Sequence, residues 1–331
     1  MPDATTPRPA ATGESVDPLN QAVVSAHVYA ASTYLALPRH PETWLIRPLV
    51  PVGGAAVIIG DAKVGKALAL DTPISTPAGW RTMADLAVGD QVYSPDGYPT
   101  TITAVSPVQP NRPCYRITFA DHESIVADVN HLWTLDYLQD GCRKKLNHTM
   151  NTQHMADLGV RTPIGRMRFQ IRLTAPIIKG SWTDLPLDPY CLGTWLGDGT
   201  RTNHHITTHD PEILQEWKKA GWEIGSLSNN PDTFPINHTS GKGVLRRILR
   251  NLQVLDNKHI PQQYMNASLE QRISLLQGLM DTDGWCKSRV GTFYNKNYRL
   301  AQDVYDLAVS LGCKVMVGHK RATLYGKDCG T

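Results

Sequence analysis

Five apolar residues in a row, Ala55 to Ile59, run straight into Gly60. A short apolar run bounded by turn residues reads as a fully buried strand. Residues 18–66 as a whole read as a helix followed by that strand. Met1 to Asp17 is acidic and rich in Pro and Thr with no apolar stretch, which predicts a disordered leader. The pattern changes at Ala67. From there to Leu138, short apolar runs alternate with turn signals at Pro77-Ala-Gly79, Gly89-Asp90 and Pro95-Asp96-Gly97. That spacing predicts a compact all-β unit. Residues 152–159 read as a short capped helix with Gly159 as its stop. From Asp188 onward, helical and strand patterns alternate.

The glycine after the apolar run opens a phosphate-loop pattern. Gly60-Asp61-Ala62-Lys63-Val64-Gly65-Lys66 fits G-x-x-x-x-G-K. The next residue should be Ser or Thr, because its hydroxyl holds the magnesium of a bound nucleotide. It is Ala67, and a turn-rich β pattern follows in place of a helix. Gly60, Gly65 and Lys66 therefore read as the nucleotide-binding residues of an α/β P-loop NTPase fragment, interrupted by an insertion. ATP is expected to serve only the uninterrupted protein.

Composition narrows the picture modestly. A net charge of +3 over 331 residues excludes a polybasic chain. Residues 138–185, however, carry eight Lys or Arg against three Asp, a local net of +5 that suits a phosphate backbone. A solvated basic face explains the same count. The six cysteines are scattered, with no C-x-x-C pair, so a zinc ribbon is not expected and no zinc is assigned. Scattered cysteines suit a reducing, cytoplasmic setting. No apolar run approaches the ~20 residues needed to span a bilayer, so no membrane partner is expected.

Several separated blocks in Ala67–Leu138 carry a resemblance. They are Ala67-Leu-Ala-Leu-Asp71-Thr72-Pro73-Ile74, Gly79-Trp80, Met83-Ala-Asp85-Leu86-Ala-Val-Gly89-Asp90, Asp96-Gly97 and Ser124-Ile-Val-Ala-Asp128-Val-Asn-His131-Leu-Trp133. In this order they resemble the N-terminal half of a Hint domain, the self-splicing fold of inteins. The resemblance implies acyl transfer at the Lys66–Ala67 bond. Such chemistry needs a nucleophile, a proton donor to the leaving nitrogen and groups that hold the oxyanion. Most inteins begin with Cys or Ser, and Ala67 has no nucleophile. An alanine start with a Trp two residues after the block histidine resembles the third intein class, which attacks with a Cys late in the element. Trp133 occupies that Trp position, and the family pairs it with that Cys and a Thr. His131 matches the histidine that activates the scissile amide. Where the family commonly has Thr, this chain has Asp128, a carboxylate that could orient the imidazole.

A second resemblance lies further along. Leu192-Gly193-Thr-Trp-Leu-Gly-Asp198-Gly199 and Gln277-Gly278-Leu-Met-Asp-Thr-Asp283-Gly284 align with each other. They are similar to the paired motifs of LAGLIDADG (DOD-type) homing endonucleases. In that family small residues let two helices pack closely, which here implies Gly193 against Gly278 with Asp198 and Asp283 side by side. Two such carboxylates suit magnesium, a hard ion that takes oxygen ligands. The stretches Lys258-His-Ile-Pro261 and Gln271–Gly278 match the lead-in to the second motif, and Tyr298–Gly312 the helix after it.

The expected organisation is multi-domain: a leader (1–17), a P-loop ATPase fragment (18–66), an all-β Hint N-terminal half with a basic extension (67–180), and an α+β LAGLIDADG nuclease of αββαββ repeats (181–331). Implied partners are double-stranded DNA and a C-terminal intein portion with its flanking host sequence, in cis or in trans, since no C-terminal Hint blocks occur before Thr331. The alternative readings are a working P-loop ATPase and a P-loop protein whose insertion is a non-catalytic DNA-binding relic.

Overall fold

The structure is a computed structural model. It describes residues 68–120, 123–139, 144–241, 243–287 and 290–319, together with the backbone of 24–28, 323–324 and 327–328. The leader, the phosphate loop (Gly60, Gly65 and Lys66) and Ala67 lie outside the described residues.

Strand β1 (Val24–Val28) falls within the stretch whose sequence predicts a helix and then a strand. Its alternation of apolar and polar residues, Val-Ser-Ala-His-Val, has the period of a strand rather than a helix, and this corrects the expectation at these residues. Next come β2 (Pro73–Thr76), β3 (Gly79–Thr82), β4 (Gln91–Tyr93), β5 (Pro99–Thr101), β6 (Cys114–Thr118), β7 (Ser124–Asp128), β8 (Leu132–Leu138) and β9 (Lys144–Asn151). Four antiparallel pairs, β2–β3, β4–β5, β6–β7 and β8–β9, make this region the all-β unit expected from its turn spacing. One small core joins Ile74, Leu86, Val92 and Ile102. A second gathers Leu68, Ala127, Trp133, Leu135, Tyr137, Met150 and Met155. Helix α1 (Thr152–Leu158) follows β9, capped by the Asn151 side chain. It stops at Gly159, whose φ of 74° is a conformation that L side chains rarely adopt. Strand β10 (Phe169–Gln170) then pairs back onto β8.

Residues from 187 to 315 share a separate, larger core. Helix α2 (Pro189–Asp198) starts at an Asp188 cap with Pro189 in its first turn. Strand β11 (His205–Thr207), helix α3 (Pro211–Lys219), β12 (Trp222–Ile224) and β13 (Thr233–His238) follow, with β13 central in a three-stranded antiparallel sheet. Helix α3 interrupts the strands, and with a third strand present this half departs from the expected αββ repeat. Asp210 and Pro211 start it, and buried Ile213 and Trp217, four residues apart, hold one face on the core. Then come α4 (Val244–Asn251), α5 (Gln262–Met265), α6 (Leu269–Asp283), β14 (Gly284–Lys287), β15 (Val290–Asn295), α7 (Tyr298–Ser310) and β16 (Val317–His319). Strand β1 lies between β15 and β16, antiparallel to both.

Helices α2 and α6 pack against each other through two glycines. A Cβ on Gly193 would collide with the Leu275 carbonyl and come within 3.0 Å of the Leu279 nitrogen. One on Gly278 would collide with the Tyr190 carbonyl and come within 2.9 Å of the Thr194 nitrogen. Backbone thus meets backbone on both sides, and neither side can yield as a flexible side chain would. We expect Gly278→Ala to destabilise the core of residues 187–315 by about 1–3 kcal/mol, the range for forced overpacking. Chemical denaturation should find a lower midpoint at unchanged slope; an unchanged midpoint would contradict this packing.

A strap at residues 174–178 lies between the two regions. Ala175 and Ile178 donate to the carbonyls of Pro95 and Gly97, while Ile177 donates to the Ser310 carbonyl at 2.9 Å. Arg272, fully buried, donates to the carbonyls of Ala267, Ser310 and Ile177.

Candidate functional sites

The first site forms where the insertion begins. Leu68 is buried and bridges Ala127 in antiparallel register, and Ala69 donates to the Val126 carbonyl at 3.0 Å. The residue after Ala67 is thereby held beside the end of β7. There the chain turns tightly, with the His131 amide donating to the Asp128 carbonyl at 3.0 Å. The turn carries His131 inward, 3% exposed, and β8 then buries Trp133 completely. The two rings meet edge to face with centroids 4.9 Å apart. The Trp133 indole donates to the Thr152 hydroxyl at 2.8 Å, and the amide and hydroxyl of Thr152 both donate to the His131 carbonyl, at 3.0 and 3.3 Å.

Asp128 is fully buried. Arg112 grips both of its carboxylate oxygens, with Nη2–Oδ1 at 3.0 Å, and the Asn130 amide donates to Oδ1 at 2.7 Å. The Arg112 bond above all holds this carboxyl below the usual carboxylate range. The carboxylate offered by the sequence as an imidazole orienter is therefore engaged by an arginine, while its charge still acts on His131. Arg112 gave no sequence signal, because its role follows from the pairing of β6 with β7.

The second site forms at the paired helix ends. Asp198 is the last residue of α2 and Asp283 the last of α6. Burial first, then the charge of Asp283, raises the Asp198 pKa to about 6. Burial also raises Asp283, against a 2.6 Å bond from the Asn295 amide to its Oδ2. Lys258 completes the group. Its Nζ donates to the Gly197 carbonyl at 2.8 Å and lies 5.3 Å from the Trp195 ring centroid. Burial pulls its pKa down to about 8, against the opposing pull of Asp283 and Asp198. In the sequence Lys258 stood out only as motif context. Asn295 had no sequence signal, since β15 brings it back from 12 residues beyond Asp283.

Among the described residues no group of three or more His, Cys, Asp or Glu could hold a metal. The donor set at the second site nonetheless fits a hard divalent cation bound by two carboxylates plus water and substrate oxygens. Burial first, and then the charge of Asp283, raises Asp198 despite Lys258, so a further positive charge beside the pair would be favourable.

The raised Asp198 pKa carries a stability consequence. The folded state holds this proton to a higher pH than the unfolded chain, so stability falls as pH rises from about 4 to about 6. In chelator at pH 7, Asp198→Asn should stabilise the fold by about 1–2 kcal/mol, after allowance for solvent screening. Thermal melts at pH 7 and pH 3.5 test this: the gain should vanish at the lower pH. An equal gain at both would remove the electrostatic cause.

The basic stretch reads differently in three dimensions. Arg168 is buried and donates to the carbonyls of Gly159 and Leu138, Arg172 and Lys144 both pair with Asp136, and burial beside Arg272 pushes Lys179 down to about 8. Several of these basic side chains, Arg168 foremost, are thus engaged within the fold itself. No helix among the described residues is long and apolar enough to cross a membrane.

Comparison with known proteins follows the sequence rather than a profile, since no family profile matches the chain. Replicative DNA helicase DnaB of Mycobacterium intracellulare is 38% identical over 275 residues, covering 78% of this chain and 44% of that protein. Replicative DNA helicase DnaB of Mycobacterium leprae (strain TN) is 47% identical over 85 residues, covering 26% of this chain and 14% of that protein. The chain spans less than half the length of these relatives. Only 66 residues precede Ala67, so most of the first match lies beyond it. The M. intracellulare protein therefore carries sequence similar to the insertion itself, and the matches support an inserted element in a DnaB-like host. Among solved structures, the Msm DnaB1 intein splicing domain bound with zinc is 43% identical over 27% of this chain and 62% of that one, with a TM-score of 0.23. The MchDnaB-1 intein is 31% identical over 33% of this chain and 78% of that one, at a TM-score of 0.22.

The zinc-bound Msm DnaB1 domain overturns the expectation that zinc plays no part in such elements. The missing C-x-x-C pair argued only against a zinc ribbon. Zinc also takes His and carboxylate ligands, which can come from residues far apart in sequence.

Proposed function

We propose that the chain is the N-terminal part of a third-class intein with an embedded LAGLIDADG homing endonuclease, inserted in the phosphate loop of a DnaB-like helicase. What carries this reading is the pairing of Leu68 with Ala127. It holds the start of the insertion beside the turn that presents His131 and Trp133. In this reading His131 protonates the nitrogen leaving at Lys66–Ala67, and Trp133 forms the wall that receives the late nucleophilic Cys. That Cys belongs to a C-terminal portion that joins in cis or in trans. Until excision, the divided loop of Gly60, Gly65 and Lys66 cannot cradle ATP.

In the second site, Asp198 and Asp283 would hold a divalent cation, which would supply positive charge at the scissile phosphate. Lys258, cationic below about pH 8, adds positive charge beside the same oxygens. The substrate is double-stranded DNA encoding the uninterrupted phosphate loop, because the insertion itself splits that sequence. The experiment compares cleavage, with added divalent cation, of host DNA lacking the insertion and host DNA carrying it. Cleavage of the first alone supports homing. Equal cleavage of both rejects it, and binding without cleavage favours the relic reading.

A further inference from the structure

We infer that Thr152 is a positioning residue for the splicing site, an assignment that rests on the splicing reading above. Thr152 is the first residue of α1, 2% exposed, and reaches the site from outside the sequence block that holds His131 and Trp133. Its hydroxyl has two directed bonds. It accepts from the Trp133 indole at 2.8 Å and donates to the His131 carbonyl at 3.3 Å. Its own amide donates to that same carbonyl at 3.0 Å. One residue thus fixes the backbone of the histidine and the ring plane of the tryptophan together.

The cap of α1 explains why Thr152 itself stays put. Asn151 accepts from the His154 amide at 2.8 Å, and Gly159 closes the other end of the helix by donating to the carbonyls of Met155 and Ala156. The helix start is therefore fixed independently of the site it serves. A second consequence concerns Trp133. Its only side-chain N–H is already given to Thr152, so the indole has no hydrogen bond left to offer a substrate oxygen. The ring acts through its shape and its edge-to-face contact with His131, and both depend on the anchored N–H.

The test uses the full chain mixed with a C-terminal intein portion, with release of residues 1–66 followed by mass spectrometry well below the melting temperature of each variant. Thr152→Val keeps the size and removes the hydroxyl; Thr152→Ser keeps the hydroxyl and removes the methyl. We expect Thr152→Val to slow cleavage by about 10-fold or more, as small misplacements of reacting groups do, and Thr152→Ser to stay near the wild-type rate. In ¹⁵N-labelled chain the Trp133 indole N–H should exchange faster with solvent in Thr152→Val and not in Thr152→Ser. Wild-type cleavage by Thr152→Val, alongside a slowed His131→Ala, would overturn the assignment of Thr152. A slowed Thr152→Ser matching Thr152→Val would overturn it too, since packing alone would then matter. Wild-type cleavage by His131→Ala, or none by the wild-type mixture, would instead contradict the splicing reading.

Discussion

Asp198→Asn and Asp283→Asn are each expected to reduce cleavage of uninterrupted host DNA by at least about 100-fold while leaving DNA binding intact. The loss should exceed the 10–100-fold that removal of an outer-shell partner costs, because each carboxylate is itself a cation ligand in this reading. An amide is a neutral and weaker ligand. Loss of a negative charge beside phosphates should, if anything, tighten binding. Binding by wild type and variants alike should weaken as salt rises. Because Asp198→Asn is also expected to stabilise the fold at neutral pH, its inactivity would not reflect unfolding. Undiminished cleavage by both variants would move the active site elsewhere.

In the completed element, His131→Ala should slow cleavage at Lys66–Ala67 by about 100-fold or more, the usual cost of losing a general acid. Trp133→Ala should abolish splicing with Ala67 unchanged. His131 and Trp133 share one buried corner, so loss of the indole removes both the wall for the incoming nucleophile and the ring packed edge to face on the imidazole. Alanine also leaves a large cavity beside Leu135 and Met150. Trp133→Phe, which keeps much of that volume, separates the two effects. A fast Trp133→Ala variant would end the third-class assignment.

The sequence was most informative where chemistry repeats at short range. Gly193 and Gly278, each five residues before an aspartate, announced a close helix pair, and the helices do meet at those glycines. The helix over 152–158 and its glycine stop followed from local capping alone. The interrupting helix at 211–219 was also written locally, in Asp210-Pro211 and the buried pair Ile213 and Trp217, but the repeat pattern obscured it. What stayed hidden depends on partners brought from afar. Arg112 meets Asp128 only once β6 lies on β7. Asn295 reaches Asp283 only through the β14–β15 hairpin. Thr152 reads locally as a helix start, and nothing near it in the chain points to Trp133, 19 residues earlier. The basic stretch shows a different limit. A charge count cannot tell a cation facing solvent from one that folds back, as Arg168 does, onto carbonyls.

The central claim is that Ala67 begins a splicing element. The most direct measurement is mass spectrometry of the chain incubated with a C-terminal intein portion that carries its own downstream host segment. The account requires a new product in which residues 1–66 are joined to that segment through a peptide bond at Lys66, in wild type and not in Trp133→Ala. Persistence of both input chains, with no joined product under conditions where the chain is folded, would contradict it.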